Sequence, residues 1–221
     1  FTLDYWIGRD LPTLALPQGI LLAPEFWTAV WNSLRIAGGA AVLAGALGLL
    51  TGYVVARSPW GWLGASLRAV TFLPYLVPGI AFAAAILVLF ATPRGPIPAL
   101  YGTPWILLVA LVADQMPFAS RLGISAMAQL GPDLEDAARM MGAGMIRRLR
   151  LIILPLLKGA LGTAVLLSFV SGLKGVSLFI LLAVPATDVL TTFSLRLVDY
   201  GYEQAANAVV LVISLLALAG S

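Results

Sequence analysis

Residues 36–56 run for 21 positions without a charge, and residues 69–91 for 23. At 1.5 Å per residue, either run is long enough as a helix to cross the ~30 Å hydrocarbon layer of a bilayer. Composition removes the soluble alternative. Of 221 residues, 61% are hydrophobic and 10% are charged, against about 25% charged in soluble domains. One core in a chain of this length could not hide so much apolar surface, so lipid is the solvent for most of it. The fold class expected is an all-α membrane protein with about five transmembrane helices. There is no Cys, hence no disulfide and no thiolate chemistry. There is no His, which removes the commonest metal ligand and general base, and no metal site is expected.

Residues 1–26 contain Pro12, Pro17 and Pro24 and read as an extracytoplasmic entry segment, with a short interfacial helix near Phe26 and Trp27. Residues 27–221 read as the transmembrane domain. Spans are expected at 36–56, 69–91, 105–127, 159–186 and 205–220, the last looking incomplete. In the first, Gly48 and Gly52 make a smooth face that another helix can approach closely. In the second, Pro74 and Pro78 interrupt the hydrogen-bond ladder. Freed carbonyls are tolerated where they face protein or a cavity, so these prolines mark either a helix lining a path or a packing kink. The connector 185–204 reads as carrying a short helix at the surface. A start at Phe1 and an apolar run stopping at Ser221 fit an excerpt of a longer polypeptide.

The apolar pattern breaks most strongly at 131–158. Asp133, Glu135, Asp136, Arg139, Arg147, Arg148, Arg150 and Lys158 lie there, eight of the 23 charged residues (13 basic plus 10 acidic). Gly131-Pro132-Asp133 reads as a helix start, with acidic residues at the positive end of the helix dipole. The helix should run to about Met141 and end at Gly142, where a left-handed backbone is cheap. A second helix should begin near Met145 and carry the arginines up to Pro155. At roughly 28 residues the loop far exceeds the 2–8 usual between helices, so it is read as docking another protein. Placing it in the cytoplasm puts seven positive residues on that side (Arg57, Arg68, Arg139, Arg147, Arg148, Arg150 and Lys158) and three opposite (Arg9, Arg94 and Arg196), as the positive-inside rule requires.

Asp136-Ala137-Ala138, three residues, Gly142, nine residues, then Ile152, Leu154 and Pro155 resemble the EAA signature of ABC-importer permeases, with Asp136 where the family usually has Glu. Asn32-Ser33-Leu34, the stretch from Leu73 to Gly79, Tyr101 to Trp105 and Leu195 to Ala206 resemble the ferric-iron branch, in which two such halves are often fused; this chain looks like the second. The resemblance implies the type I importer permease fold with a cytoplasmic coupling helix, in the bacterial inner membrane. It implies cytoplasmic ABC ATPase subunits carrying ATP and Mg, a second permease half or subunit, an extracytoplasmic substrate-binding protein and membrane lipid as partners, with no nucleic acid. No cofactor is implied in this chain. Carried over by position, Asp136, Ala137, Ala138 and Gly142 are the ATPase-docking residues, with Glu135 and Arg139 at the edge. Ferric iron is the substrate the branch implies; polyamine, thiamine, sulfate, phosphonate and sugar uptake are the alternatives within importers.

The residues support this division of labour. A P-loop needs Gly-Lys-Ser/Thr at its end, and neither Lys158 nor Lys174 sits in such a context. Asp114 and Lys174 are expected at similar mid-membrane depth, as a path or gating pair or as a structural ion pair; charges there are costly and usually pair or face a cavity. Arg121 is read as snorkelling. Gln115, Ser120, Ser168 and Ser171 are polar enough to line a path, without being assigned as ligands. The rival class is an ion- or proton-coupled secondary transporter or channel using Asp114 as a relay, which does not need the long charged loop. A membrane-embedded enzyme lacks both a second intramembrane carboxylate and a His-based metal site.

Overall fold

The computed structural model describes residues 3–8 and 17–220. Of the expected entry segment, Arg9 and Pro12 lie outside the described residues. The described chain is all helical: α1 (Asp4–Ile7), α2 (Pro24–Arg57), α3 (Gly61–Leu76), α4 (Gly79–Phe90), α5 (Pro104–Gln129), α6 (Asp133–Met140), α7 (Met145–Arg148), α8 (Leu154–Leu156), α9 (Lys158–Lys174), α10 (Phe179–Leu182), α11 (Leu190–Asp199) and α12 (Glu203–Ala219). A π-helical turn, Leu149–Ile153, joins α7 to α8.

Among the described residues, α2 and α5 are long and apolar enough to cross a membrane, and the count reaches four if the bent pairs α3–α4 and Met145–Leu156 with α9 each count as one span. The expected five are therefore not reached, because α12 has only 17 residues. The second expected span is also divided. Its helix tolerates Pro74 but stops at Leu76, and Pro78 takes an extended backbone (φ −54°, ψ 134°) before α4 begins. Proline pushes its predecessor out of the helical region, and Val77-Pro78 is where the chain yields. The fourth expected span, 159–186, ends early at Lys174. Lys174 is thus not near the middle of a helix but in its last turn, where a cation complements the negative end of the dipole.

The chain divides into two compact units. The first comprises the described residues up to Ala40, Val77–Leu111 and those from Phe169 on. Its core gathers Ile20, Phe26, Leu190, Phe193, Leu197, Val209 and Ile213. This corrects two expectations. Phe26 is not on a separate interfacial helix but buried in the first turn of α2. And α11 does not lie at the surface: Leu190, Phe193 and Leu197 recur at helical spacing and form part of this core. Asn32 and Ser33 on α2 hold the entry to α11 in place. The Asn32 side-chain amide donates to the Asp188 carbonyl at 2.9 Å, and the Leu190 N–H donates to Ser33 Oγ at 2.8 Å. The second bond satisfies an N–H at the helix start that lacks an intrahelical partner.

The second unit comprises Ala41–Leu76 and Val112–Ser168. Here the glycine face of α2 meets α5, as its small residues lead one to expect. A Cβ at Gly48 would fall on the Ala119 carbonyl, and one at Gly52 on the Gly123 carbonyl. Leu49, Tyr53, Met127, Ile153 and Leu157 form the buried cluster beside this crossing.

Candidate functional site

The charged loop belongs wholly to the second unit, so its geometry can be built from its own residues. α6 begins at Asp133 with Pro132 just before it, and Asp133, Glu135 and Asp136 fill its first turn. It ends in a Schellman motif. The Gly142 N–H bonds the Arg139 carbonyl at 2.8 Å and the Ala143 N–H bonds the Ala138 carbonyl at 2.9 Å. This closure needs a left-handed residue between them, and Gly142 supplies it at φ +79°. Gly144 opens α7 with φ −64° and ψ 164°.

The expected docking residues separate into two faces. Asp136, Ala137, Arg139 and Gly142 are exposed, whereas Glu135 and Ala138, three apart, point inward and are buried. Asp136 and Arg139 pair loosely at 3.5 Å on the exposed side. Apolar residues of the loop stand open as well. Met140 is 89% exposed, Met141 84% and Ile146 80%, with Leu134 and Met145 also open. A shallow cavity of about 850 Å³ follows on the second arm, lined by Gly144, Met145, Ile146, Arg147, Arg150 and Leu151. Apolar side chains standing out from a helix this polar are the mark of a covered surface.

Glu135, expected at the docking edge, is tied to the end of α2. Arg57 Nε donates to its Oε1 at 2.7 Å, and the Tyr53 hydroxyl donates to its Oε2 at 3.3 Å. Arg57 also donates through Nη2 to the Leu130 carbonyl at 2.7 Å, just past the last residue of α5. These partners stand 78 and 73 positions away, so no local pattern announces them.

The path candidates are less gathered. In the second unit, Gln115 donates to the Asp114 carboxylate at 2.8 Å. Pro74 lies inside α3 beside an aromatic group. Phe72 stacks on Tyr75 at 5.1 Å, and Tyr75 meets Phe118 edge-on at 5.9 Å. The Arg121 guanidinium sits 4.3 Å above the Phe72 ring, so it has a cation–π partner. Pro78 and Lys174 fall in the first unit. Neither Asp114 nor Lys174 belongs to an ion pair among the described residues, where the pairs are Arg57–Glu135, Asp136–Arg139 and Asp188–Arg196. Among the described residues no group of three or more Asp or Glu is placed to hold a metal ion.

Residues 48–221 match a family model described as the inner membrane component of binding-protein-dependent transport systems. The ferric transport system permease protein FbpB of Actinobacillus pleuropneumoniae is 29% identical over 213 residues, covering 95% of this chain and 30% of that protein. The putative ferric transport system permease protein FbpB 1 of Haemophilus influenzae is 31% identical over 191 residues, covering 86% and 30%. The chain therefore spans under a third of the length of these two relatives. The sulfate transport system permease protein CysT of Salmonella typhimurium is 27% identical over 234 residues, covering 97% and 78%. A crystal structure of a bacterial alginate ABC transporter contains a chain that matches with a TM-score of 0.73 at 18% identity, over 91% of this chain and 77% of that one. The MetNI methionine ABC transporter, in an inward-facing conformation, matches with a TM-score of 0.71 at 18% identity, over 89% and 93%. At that identity the likeness concerns the fold.

Proposed function

The chain belongs to the family of inner membrane components of binding-protein-dependent transport systems, and on that premise we propose that it is a permease component of an ATP-driven importer, docked to its ATPase through α6. The observation that carries this is the exposed apolar set Leu134, Met140, Met141, Met145 and Ile146 on an otherwise charged loop. Met is flexible and polarizable and suits a surface that must fit a partner. Asp136, Ala137, Arg139 and Gly142 lie on the same exposed loop, and the small side chains of Ala137 and Gly142 let a partner come close. The partners in this reading are cytoplasmic ATPase subunits that bind ATP and Mg, a second permease half, and an extracytoplasmic binding protein, assembled in a bacterial inner membrane. The chain itself carries no ATPase site. Asp114, Pro74, Pro78 and Lys174 are retained as candidates for the path.

For the substrate we favour ferric iron. The support is the two ferric relatives at 29% and 31% identity. The sulfate relative, matched over 78% of its own length, is the reason to test sulfate beside it. The full-length permease is reconstituted in vesicles with its ATPase and binding protein, and uptake of radiolabelled ferric iron and sulfate is measured with and without ATP. ATP-dependent iron uptake that stops when Met140 and Ile146 are both replaced by Glu supports the reading. ATP-independent uptake refutes the importer, and ATP-dependent sulfate uptake refutes the substrate.

A further inference from the structure

Behind the docking face lies a second arrangement that docking does not require. Glu135 is 2% exposed and Arg148 is 6% exposed. Glu135 sits on the first arm of the loop and Arg148 on the second. Both lie within electrostatic reach of the Tyr53 hydroxyl near the end of α2. Only one of the two nearby arginines holds the carboxylate. Arg57 binds Glu135 at 2.7 Å, while Arg148 Nε and Nη1 are buried without a hydrogen-bond partner. One buried carboxylate thus holds the half-buried Arg57, while the buried Arg148 keeps two nitrogens unpartnered. A guanidinium cannot shed its charge, and a buried charge without a partner is strongly unfavourable. A carboxylate accepts from several donors, and Glu135 has acceptor capacity left on Oε2, where the Tyr53 contact is long. Arg148 therefore lacks the partner its buried charge calls for, and Glu135, acting on the same Tyr53 hydroxyl, is a buried carboxylate with acceptor capacity to supply one.

We propose that Glu135 is a positioning residue that alternates between Arg57 and Arg148, so that movement of the docked helix engages or releases the end of α2 and the Leu130 carbonyl at the end of α5. The inference rests on the importer reading. With Glu135 on Arg57, α6 is locked to α2 and α5. With Glu135 on Arg148, the two arms of the loop are locked to each other and α2 is freed. A mechanically driven joint needs two such discrete arrangements, since packed elements switch between states rather than deform continuously.

The test uses the complete importer in vesicles. Double-mutant cycles combine Glu135→Gln with Arg57→Met and, separately, with Arg148→Met. Thermal unfolding of the complex is read nucleotide-free and again after trapping with ATP and vanadate. The expected result is that Glu135 couples to one arginine in one state and to the other arginine in the other state. Arg148→Met keeps an apolar stem and removes the unpaired charge. It should leave assembly intact and lower ATP-driven turnover by roughly tenfold or more, in the range of coupling between sites, with Arg148→Lys recovering part of it. Glu135→Asp serves where Glu135→Gln does not assemble. Identical couplings in both states, or wild-type turnover in Arg148→Met, overturn the proposal. If the wild-type chain binds no ATPase and shows no response to ATP and vanadate, the importer reading fails first and the joint fails with it.

Discussion

Replacing Gly142 by Ala isolates one cause from the others that glycine substitutions usually mix. Gly142 has φ +79°, and a Cβ built there meets nothing within 4 Å. No clash contributes, only the left-handed backbone, which costs a residue with a Cβ about 1–2 kcal/mol. Gly144, two positions on, is the internal control. Its φ of −64° suits any residue, and a Cβ there also meets nothing within 4 Å. Gly144→Ala should be neutral or stabilise by about 0.4–1 kcal/mol through the unfolded chain. The strain in Gly142→Ala falls on the two bonds that end α6, from the amides of residues 142 and 143. Local opening of the α6 end should therefore become roughly 5 to 30 times more frequent. Hydrogen exchange of peptides covering 137–144, measured on the permease in vesicles where reclosing outpaces exchange, reads this directly. Equal exchange in the two variants, or faster exchange in Gly144→Ala, would refute the assignment of Gly142 as the stop of α6. Gly201, at φ +82°, closes α11 with the same pair of bonds, Gly201 N–H to Val198 and Tyr202 N–H to Leu197. Gly201→Ala should loosen the end of α11 by the same factor.

Gly123→Ala should destabilise the second unit by about 1–3 kcal/mol or more, because its Cβ lands on the Gly48 carbonyl and backbone cannot step aside; Gly159→Ala, with open space around it, should stay within about 0.5 kcal/mol, and detergent-solubilised thermal unfolding compares them. Asn32→Leu leaves the Asp188 carbonyl without its 2.9 Å donor, at a cost of about 1–3 kcal/mol, seen as faster exchange at the start of α11; unchanged exchange would mean the bond does not hold that turn. Met140→Glu and Ile146→Glu place charge on the exposed face and should each weaken ATPase binding by about 2 kcal/mol or more without reducing membrane insertion, as measured by titrating the ATPase onto vesicles.

The parts of this chain that its sequence discloses are those whose causes lie within a few residues. α6 was legible because acidic residues in the first turn and a glycine after the last act on backbone groups at most five positions away. The close crossing of α2 and α5 was legible from one side, since Gly48 and Gly52 announce a smooth face, though not that Ala119 and Gly123 would meet it. Pattern misled where the surroundings decide. The apolar face of α11 has the same spacing whether lipid or protein covers it, and here Phe26 and Val209 share a core with it. Reading 159–186 as one span put Lys174 near its middle, although a lysine is as well placed in the last turn of a helix, at the negative end of the dipole, which is where it stands.

The charged loop shows the same limit. Glu135 and Asp136 are chemically alike and adjacent, yet one is buried on Arg57 and the other faces outward. A helix turns about 100° per residue, given 3.6 residues in each turn, so the boundary between an inward and an outward face can fall between two neighbours, as it does between Glu135 and Asp136. Asp136 stands in the exposed register with Arg139 and Met140, and Glu135 stands in the inward register with Ala138. What the sequence presents as one acidic pair is split between two faces, Asp136 outward and Glu135 onto Arg57 at the end of α2. Reversing Asp136 to Lys should therefore impair docking and leave the Arg57 anchor intact, whereas Glu135→Gln should leave docking intact and release the anchor. Binding of the ATPase to vesicles and exchange at Leu130 separate the two, and a variant that moved both readouts together would show that the faces are not independent.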